Sequence, residues 1–141
     1  MTTAQVRSAL GTAIRTVTYG SLRAAEYAPD VINTPMATVM AGEYDPRMVM
    51  GQAKSERTFQ VKLWVERAPA ETSQKLLDAY CEMVPPGTGG TLTSVVSALQ
   101  EYSYSSAVLD YVEVTNVSGL EITEWNAIEY LTRTLNVEVV Y

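Results

Sequence analysis

The sequence contains no histidine at any of its 141 positions. This absence excludes Ser-His-Asp triads, Cys-His pairs, histidine-ligated zinc and acid–base catalysis by histidine. Hydrolysis by carboxylates alone and carboxylate metal sites stay open. The candidate pairs are Glu43/Asp45 and Glu121/Glu124, but neither lies in a calcium-loop pattern or between turn glycines. We interpret both pairs as solvated surface charge and expect no catalytic residues, no metal and no cofactor.

Cysteine is also scarce, since Cys81 is the only one in the chain. An internal disulfide is therefore excluded, and we interpret Cys81 as a small buried apolar residue of a helix rather than a reactive thiol. No apolar run approaches the roughly 20 residues that span a bilayer, and the first residues do not have the layout of a signal peptide. We expect a protein without membrane association that is made and used, or assembled, inside a cell.

Positive charge is scarce in the second half of the chain. Residues 1–67 carry a net charge of +2, whereas residues 68–141 carry a net charge of −8. An acidic half argues against specific nucleic-acid binding, because phosphate contacts need clustered cations. Such a polarised molecule can use opposite faces to stack on partners. The alternative is that the surface charge simply varies along the chain.

The most regular stretch runs from Thr58 to Val65 and leads into a helical pattern. Its alternation of apolar and polar residues predicts a half-buried strand. The apolar side consists of Phe59, Val61, Leu63 and Val65, and the other side of Thr58, Gln60, Lys62 and Trp64. From Ala70 to Val84 the period is helical. The residues that share the apolar helix face are Ser73, Leu76, Leu77, Tyr80 and Val84. A strand that feeds an amphipathic helix is the basic unit of an α/β or α+β domain.

The other segments complete a coarse order of helix, strand, arm, strand, helix, helix, strand, strand. We predict helices at 2–17 and 91–100, irregular structure at 21–34, strands at 36–41 and 108–117, a connection with partial strand character at 120–126, and a long final strand or hairpin pair at 127–141. Gly20 is expected to take a left-handed conformation after the first helix, and Thr91 or Thr93 to cap the third. The predicted fold is one α+β domain over residues 1–141, with a mostly antiparallel sheet and helices on one face.

Residues 43–57 fit no core element, and we interpret them as a long hairpin arm or loop between two strands. The candidate interface residues in this segment are Glu43, Tyr44, Asp45, Arg47, Met48, Val49, Met50, Lys54 and Arg57. Loops of this length in compact domains are usually functional or disordered, and methionine is common on adaptable binding surfaces. The alternative is a mobile loop with a few chance apolar residues.

The aromatic composition points to contact surfaces. Nine tyrosines stand against one phenylalanine, and tyrosine suits surfaces that pack against other chains. Trp64 and Trp125 have the residue type that stacks on a base or a sugar, but tryptophan more often fills the edge of a core or an interface. Nothing in the sequence assembles a nucleophile, a base and an orienting group.

The order of these segments resembles the tail terminator proteins of long-tailed phages, also called tail completion proteins. The resemblance is carried by the helix at the start, Thr34-Pro35-Met36-Ala37-Thr38-Val39, the arm, the strand Phe59 to Val65, Ser73-Gln74-Lys75-Leu76-Leu77-Asp78, the run from Gly89 to Leu99, and Trp125-Asn126-Ala127-Ile128-Glu129-Tyr130-Leu131 followed by Val137-Glu138-Val139. The last segment looks like the family's closing hairpin, which usually has a glycine where Ala127 stands.

The resemblance implies a structural virion protein without catalytic residues. Such proteins form a ring, usually of six subunits, on the last ring of tail tube proteins. They end tail polymerisation and supply the surface that joins the tail to the head connector protein. DNA passes through the ring without specific binding. On this basis the arm at 43–57 is expected to act between subunits or against the tube. Alternatives are another connector protein of the head-closure or adaptor type, a small carboxylate-dependent enzyme, and a non-viral adaptor domain.

Overall fold

The computed structural model describes residues 3–17, 19–42, 56–68, 70–82, 94–102, 104 and 111–140. Within these ranges the chain forms three α-helices and a six-stranded sheet. The elements are α1 (Thr3–Arg15), β1 (Arg23–Ala25), β2 (Met36–Ala41), β3 (Glu56–Glu66), α2 (Ala70–Cys81), α3 (Val95–Glu101), β4 (Tyr111–Val117), β5 (Glu121–Trp125) and β6 (Ile128–Val140). A short 3-10 helix, Tyr19–Ser21, follows α1.

The sheet is mostly antiparallel, and the helices pack on one of its faces. The strand order is β1-β2-β3-β6-β4, and β5 lies beside β4 along the same side of β6. Only β1 runs parallel to its neighbour β2 among the described pairs; all others are antiparallel. The predicted α+β class is therefore confirmed. The predicted arm at 43–57 joins β2 to β3, but residues 43–55 lie outside the described residues.

The core lies between the helices and the apolar face of β3 and β6. The alternation predicted for Thr58 to Val65 is confirmed. The strand is longer than predicted, since it extends from Glu56 to Glu66. The fully buried side chains that fill the core include Val6, Leu10 and Ile14 of α1, Val39 of β2, Phe59, Val61 and Leu63 of β3, Leu77 and Tyr80 of α2, Leu99 of α3, and Leu135 and Val137 of β6. Every helix thus contributes to one core.

Helix α2 docks on the 3-10 helix as well as on the sheet. The Tyr80 hydroxyl donates a hydrogen bond to the Tyr19 carbonyl oxygen at 2.7 Å. Gly20 has φ of +68°, as predicted, and a Cβ there would lie 2.6 Å from the Tyr80 hydroxyl and 2.9 Å from Leu76 Cδ1. Leu76 lies on the predicted apolar face of the helix, but it is only half-buried. The reason is its position at the rim of the core, where it also contacts this exposed turn.

Strands β4 and β5 follow one another along β6 and are separated by an irregular segment. Val114 pairs with Val137 and Asn116 with Asn136, so Thr115 is an extra residue in β4. A second extra residue lies between the pairs Val117–Leu135 and Glu121–Thr132. Each bulge reverses the side-chain alternation. This is why residues 120–126 were predicted as a connection with partial strand character, whereas the structure has the strand β5.

Two other predictions differ from the structure. The strand β1 lies within residues 21–34, which were predicted to be irregular; it has three residues and is held by Arg23 N–H donating to the Pro35 carbonyl at 3.1 Å. Helix α3 is capped by Ser94, not by Thr91 or Thr93, because the Ser94 hydroxyl accepts a hydrogen bond from Ser97 N–H at 3.1 Å. The helix therefore starts at Val95 rather than at residue 91.

The turn between β5 and β6 contains a residue in an unfavourable backbone conformation. Asn126 and Ala127 have φ of 50° and 64°, which is the pattern of a type I′ turn. Asparagine tolerates this conformation, but the Cβ of alanine does not. We expect Ala127→Gly to stabilise the fold by about 1 kcal/mol in a denaturant melt. The control is Ala28→Gly, in a loop without positive φ, which should lower stability; equal effects would refute the turn assignment.

Candidate interface surfaces

Of the nine interface candidates in the predicted arm, the structure describes only Arg57. It lies in β3, so the predicted boundary of the arm at residue 57 is wrong. Its Nη1 donates a hydrogen bond to Thr3 Oγ1 at 2.6 Å, and its guanidinium lies 5.6 Å from the centre of the Phe59 ring. Arg57 therefore ties the start of α1 to β3. The other eight candidates lie outside the described residues.

One edge of the sheet presents apolar side chains with acidic neighbours. Leu120 and Ile122 are 47% and 59% exposed, although isoleucine and leucine are usually buried. Ile122 pairs with the buried Leu131, and in the described part of the chain no helix covers it. Glu121 and Glu124 are exposed on the same strand. We call these four residues, Leu120, Glu121, Ile122 and Glu124, the acidic edge.

The opposite edge of the sheet, along β1, carries arginine and tyrosine. The exposed Arg15 side chain bonds Glu26 Oε1 at 3.1 Å and reaches the Ala24 carbonyl of β1 at 3.5 Å. Arg23 of β1 is exposed and donates to the Thr34 carbonyl at 3.4 Å. The Tyr27 ring is exposed and lies 4.6 Å from the Arg7 guanidinium. We call Arg15, Arg23 and Tyr27 the basic edge.

Arg7 fixes the backbone behind this basic edge. Its Nη1 donates to the carbonyl oxygens of Glu26 and Val39, each at 2.7 Å. Arg7 and Arg15, both on α1, therefore reach the backbone of the first two strands. Sequence reasoning missed the two edges, because β1 has only three residues and β5 follows two bulges that interrupt the alternation of the preceding strand. An available signal was the pattern Glu121-Ile122-Thr123-Glu124, an isoleucine between charges.

The second face of the sheet has a small aromatic core. Trp64 is 3% exposed and packs edge-on against Trp125 and Tyr130, with ring centres 5.8 Å apart in both pairs. The loop before β2 covers this cluster: Ile32 is buried there, and Asn126 Nδ2 donates to the Asp30 carbonyl at 2.6 Å. The tryptophans therefore lie in a core edge, one of the two positions predicted for them, and Trp64 has no surface for stacking a ligand.

The acidic and hydroxyl side chains among the described residues are the groups to consider for catalysis or metal binding. Glu121 and Glu124 are exposed, as their assignment to surface charge predicted. Within the described ranges, no three Asp, Glu or Cys side chains come together where they can hold a metal ion. A concave surface of about 240 Å³ lies between Pro35, Val65 and Leu76, and its polar side chains are Thr34, Glu66, Thr72 and Ser73. In the described part of the chain no hydrogen bond joins the Glu66 carboxylate to the hydroxyl of Thr72 or Ser73, and Glu66 Oε1 accepts one from the Thr34 hydroxyl at 3.4 Å.

Cys81 is half-buried and packs against the core, and its thiol is not activated. Burial raises the pKa of the Cys81 thiol to about 11, and the nearby Arg133 lowers it only in part. The thiolate fraction at neutral pH is then about a hundredfold below that of an ordinary cysteine. We expect iodoacetamide to alkylate native Cys81 at least about tenfold more slowly at pH 7.5 than the urea-unfolded chain, because the higher nucleophilicity of a thiolate with a raised pKa offsets only a part of its lower abundance. Similar rates in both states would show an activated thiol.

No model of a known protein family matches this chain, and no curated protein matches it. Among the described residues, no helix is both long and apolar enough to cross a membrane.

Proposed function

We propose that this chain is a tail terminator protein of a long-tailed phage. It assembles in the host cytoplasm into a ring, of six subunits by analogy with the family, that caps the tail tube at the head–tail junction of the virion. The ring ends polymerisation of the tube and offers the surface that the head connector protein joins. It has no catalytic role, no cofactor and no specific contact with the DNA that passes through it.

The observation that supports this proposal best is the order of the segments. Each described segment that carries the resemblance forms a regular element: β2 follows Pro35, β3 leads into α2, Ser94 caps α3, and Trp125 to Leu131 forms the closing turn. The turn keeps its type I′ conformation although Ala127 replaces the usual glycine. The segments on which the resemblance rests are therefore consecutive structural elements of this chain.

Two further observations favour an assembling protein over an enzyme. The described surface carries exposed apolar side chains at one sheet edge, where a partner chain can bury them. Among the described contacts, the Glu66 carboxylate in the concave surface between Pro35 and Leu76 does not hydrogen-bond the hydroxyl of Thr72 or Ser73, the nucleophiles that it would have to activate. Both observations agree with a protein that acts through its contacts with other chains.

The test has two stages. Size-exclusion chromatography with light scattering should show a ring-sized oligomer, and negative-stain electron microscopy should show a central opening. Added to growing tail tubes, the protein should stop elongation and remain at one end. A ring that binds the connector but leaves tube growth unchanged would indicate the head-closure or adaptor type instead. A monomer that leaves tubes unaffected would contradict the proposal.

A further inference from the structure

We infer that the acidic edge of one subunit docks on the basic edge of a second copy of this chain. The inference deepens the proposed function, and rests on it in taking a second copy of the chain as the partner. The main observation behind the inference is that the two surfaces lie at opposite edges of one sheet, with β5 at one edge and β1 at the other.

The acidic edge has the properties of a surface that another chain covers. Leu120 and Ile122 expose about half of their surface on adjoining segments, and burial of this apolar surface against another chain is favourable. In the described part of the chain, β5 has a strand neighbour on one side only, which is β6. The carboxylates of Glu121 and Glu124 form no ion pair with any described residue. An unpaired edge with apolar side chains invites association.

The basic edge provides the complementary chemistry. Arg23 supplies an exposed positive charge, Arg15 shares its charge with the carboxylate of Glu26, and Tyr27 supplies an exposed ring that can cover an aliphatic side chain. Tyrosine and arginine are the residue types enriched in protein interfaces. Arg15 is held in place by Glu26, and Tyr27 by the Arg7 guanidinium, so little side-chain freedom is lost on docking. Opposite charges on the two edges would set the register of the contact.

The position of the two edges determines the kind of assembly. Because they lie on opposite sides of the sheet, a contact between them is head-to-tail and leaves the pair of subunits with one free edge of each kind. Repetition of such a contact produces a closed ring or an open filament. A contact between two acidic edges would instead give a dimer, and like charges oppose it. The observed charges therefore favour the geometry from which a ring is built.

Charge reversal at each edge tests the inference. Arg23→Glu places acid against acid, and Glu124→Arg places base against base, so each variant alone should raise the concentration for half-assembly at least about tenfold. An equimolar mixture of the two variants should assemble again into rings with alternating subunits. The double variant Arg23→Glu/Glu124→Arg should also assemble. Light scattering over a dilution series measures all four samples.

Matched controls reverse charges on α2, away from both edges. Lys75→Glu and Glu71→Arg change the charge by the same amounts at exposed positions and should assemble like the parent protein. Circular dichroism melts verify that every variant is folded. Rings that form equally well in all variants would overturn the inference and leave the terminator proposal standing. Assembly that depends on the two edges but yields filaments that do not cap tubes would support the inference and contradict the terminator proposal. A parent protein that stays monomeric would overturn both.

Discussion

Leu77→Ala should lower the free energy of unfolding by roughly 2–5 kcal/mol, the usual range for truncation of a buried leucine. Leu77 has no exposed surface and lies where α2 meets the sheet. The side chain belongs to the core that all three helices share, so its truncation leaves a cavity among packed apolar side chains. Urea unfolding followed by circular dichroism measures the change.

The neighbouring leucine provides the matched control for this experiment. Leu76 is half-buried at the rim of the core, where it contacts the turn at Gly20. Leu76→Ala should therefore lower the free energy of unfolding by only roughly 1–2 kcal/mol, since the side chain of Leu76 buries less apolar surface than that of Leu77. If Leu76→Ala costs as much as Leu77→Ala, the helix is rotated relative to the described packing. A cost below about 1 kcal/mol for Leu77→Ala would mean that α2 does not pack on the sheet as described.

The central strand and helix could be predicted from the sequence because their periodicity is uninterrupted. From Phe59 to Val65 every second residue enters the core, and from Ser73 to Tyr80 the buried positions follow the helical period. The error at Leu76 shows the limit of this method. Periodicity identifies the face of a helix, but the sequence does not show how far the neighbouring elements extend over that face.

The edges of the sheet could not be predicted, for physical reasons that differ between them. Strand β1 has three residues, too few for an alternation, and its parallel pairing with β2 joins residues 13 positions apart, as Arg23 and Met36 do. At the other edge, two bulges shift the register between Val114 and Glu121 and reverse the side-chain alternation twice. Exposure of Ile122 follows from tertiary packing, because an alternating strand pattern predicts burial of such a residue.

Trp64→Ala should be at least as damaging as the change at Leu77, with an expected loss of roughly 3–5 kcal/mol. Trp64 fills the centre of the second, smaller core on the face of the sheet opposite the helices. Its Nε1 donates a hydrogen bond to the Thr38 hydroxyl at 3.0 Å in a buried environment. The alanine variant therefore creates a cavity and also removes the partner of a buried polar group.

Two further variants separate these contributions. Trp64→Phe keeps most of the ring but lacks the N–H group, so it should lose only a part of the stability that Trp64→Ala loses. Trp125→Ala removes a half-buried ring from the margin of the same cluster and should cost less than Trp64→Ala. Guanidinium melts rank the three. If Trp125→Ala were the more damaging change, Trp125 rather than Trp64 would be the centre of this cluster, because the cost of truncation follows the burial of the removed ring.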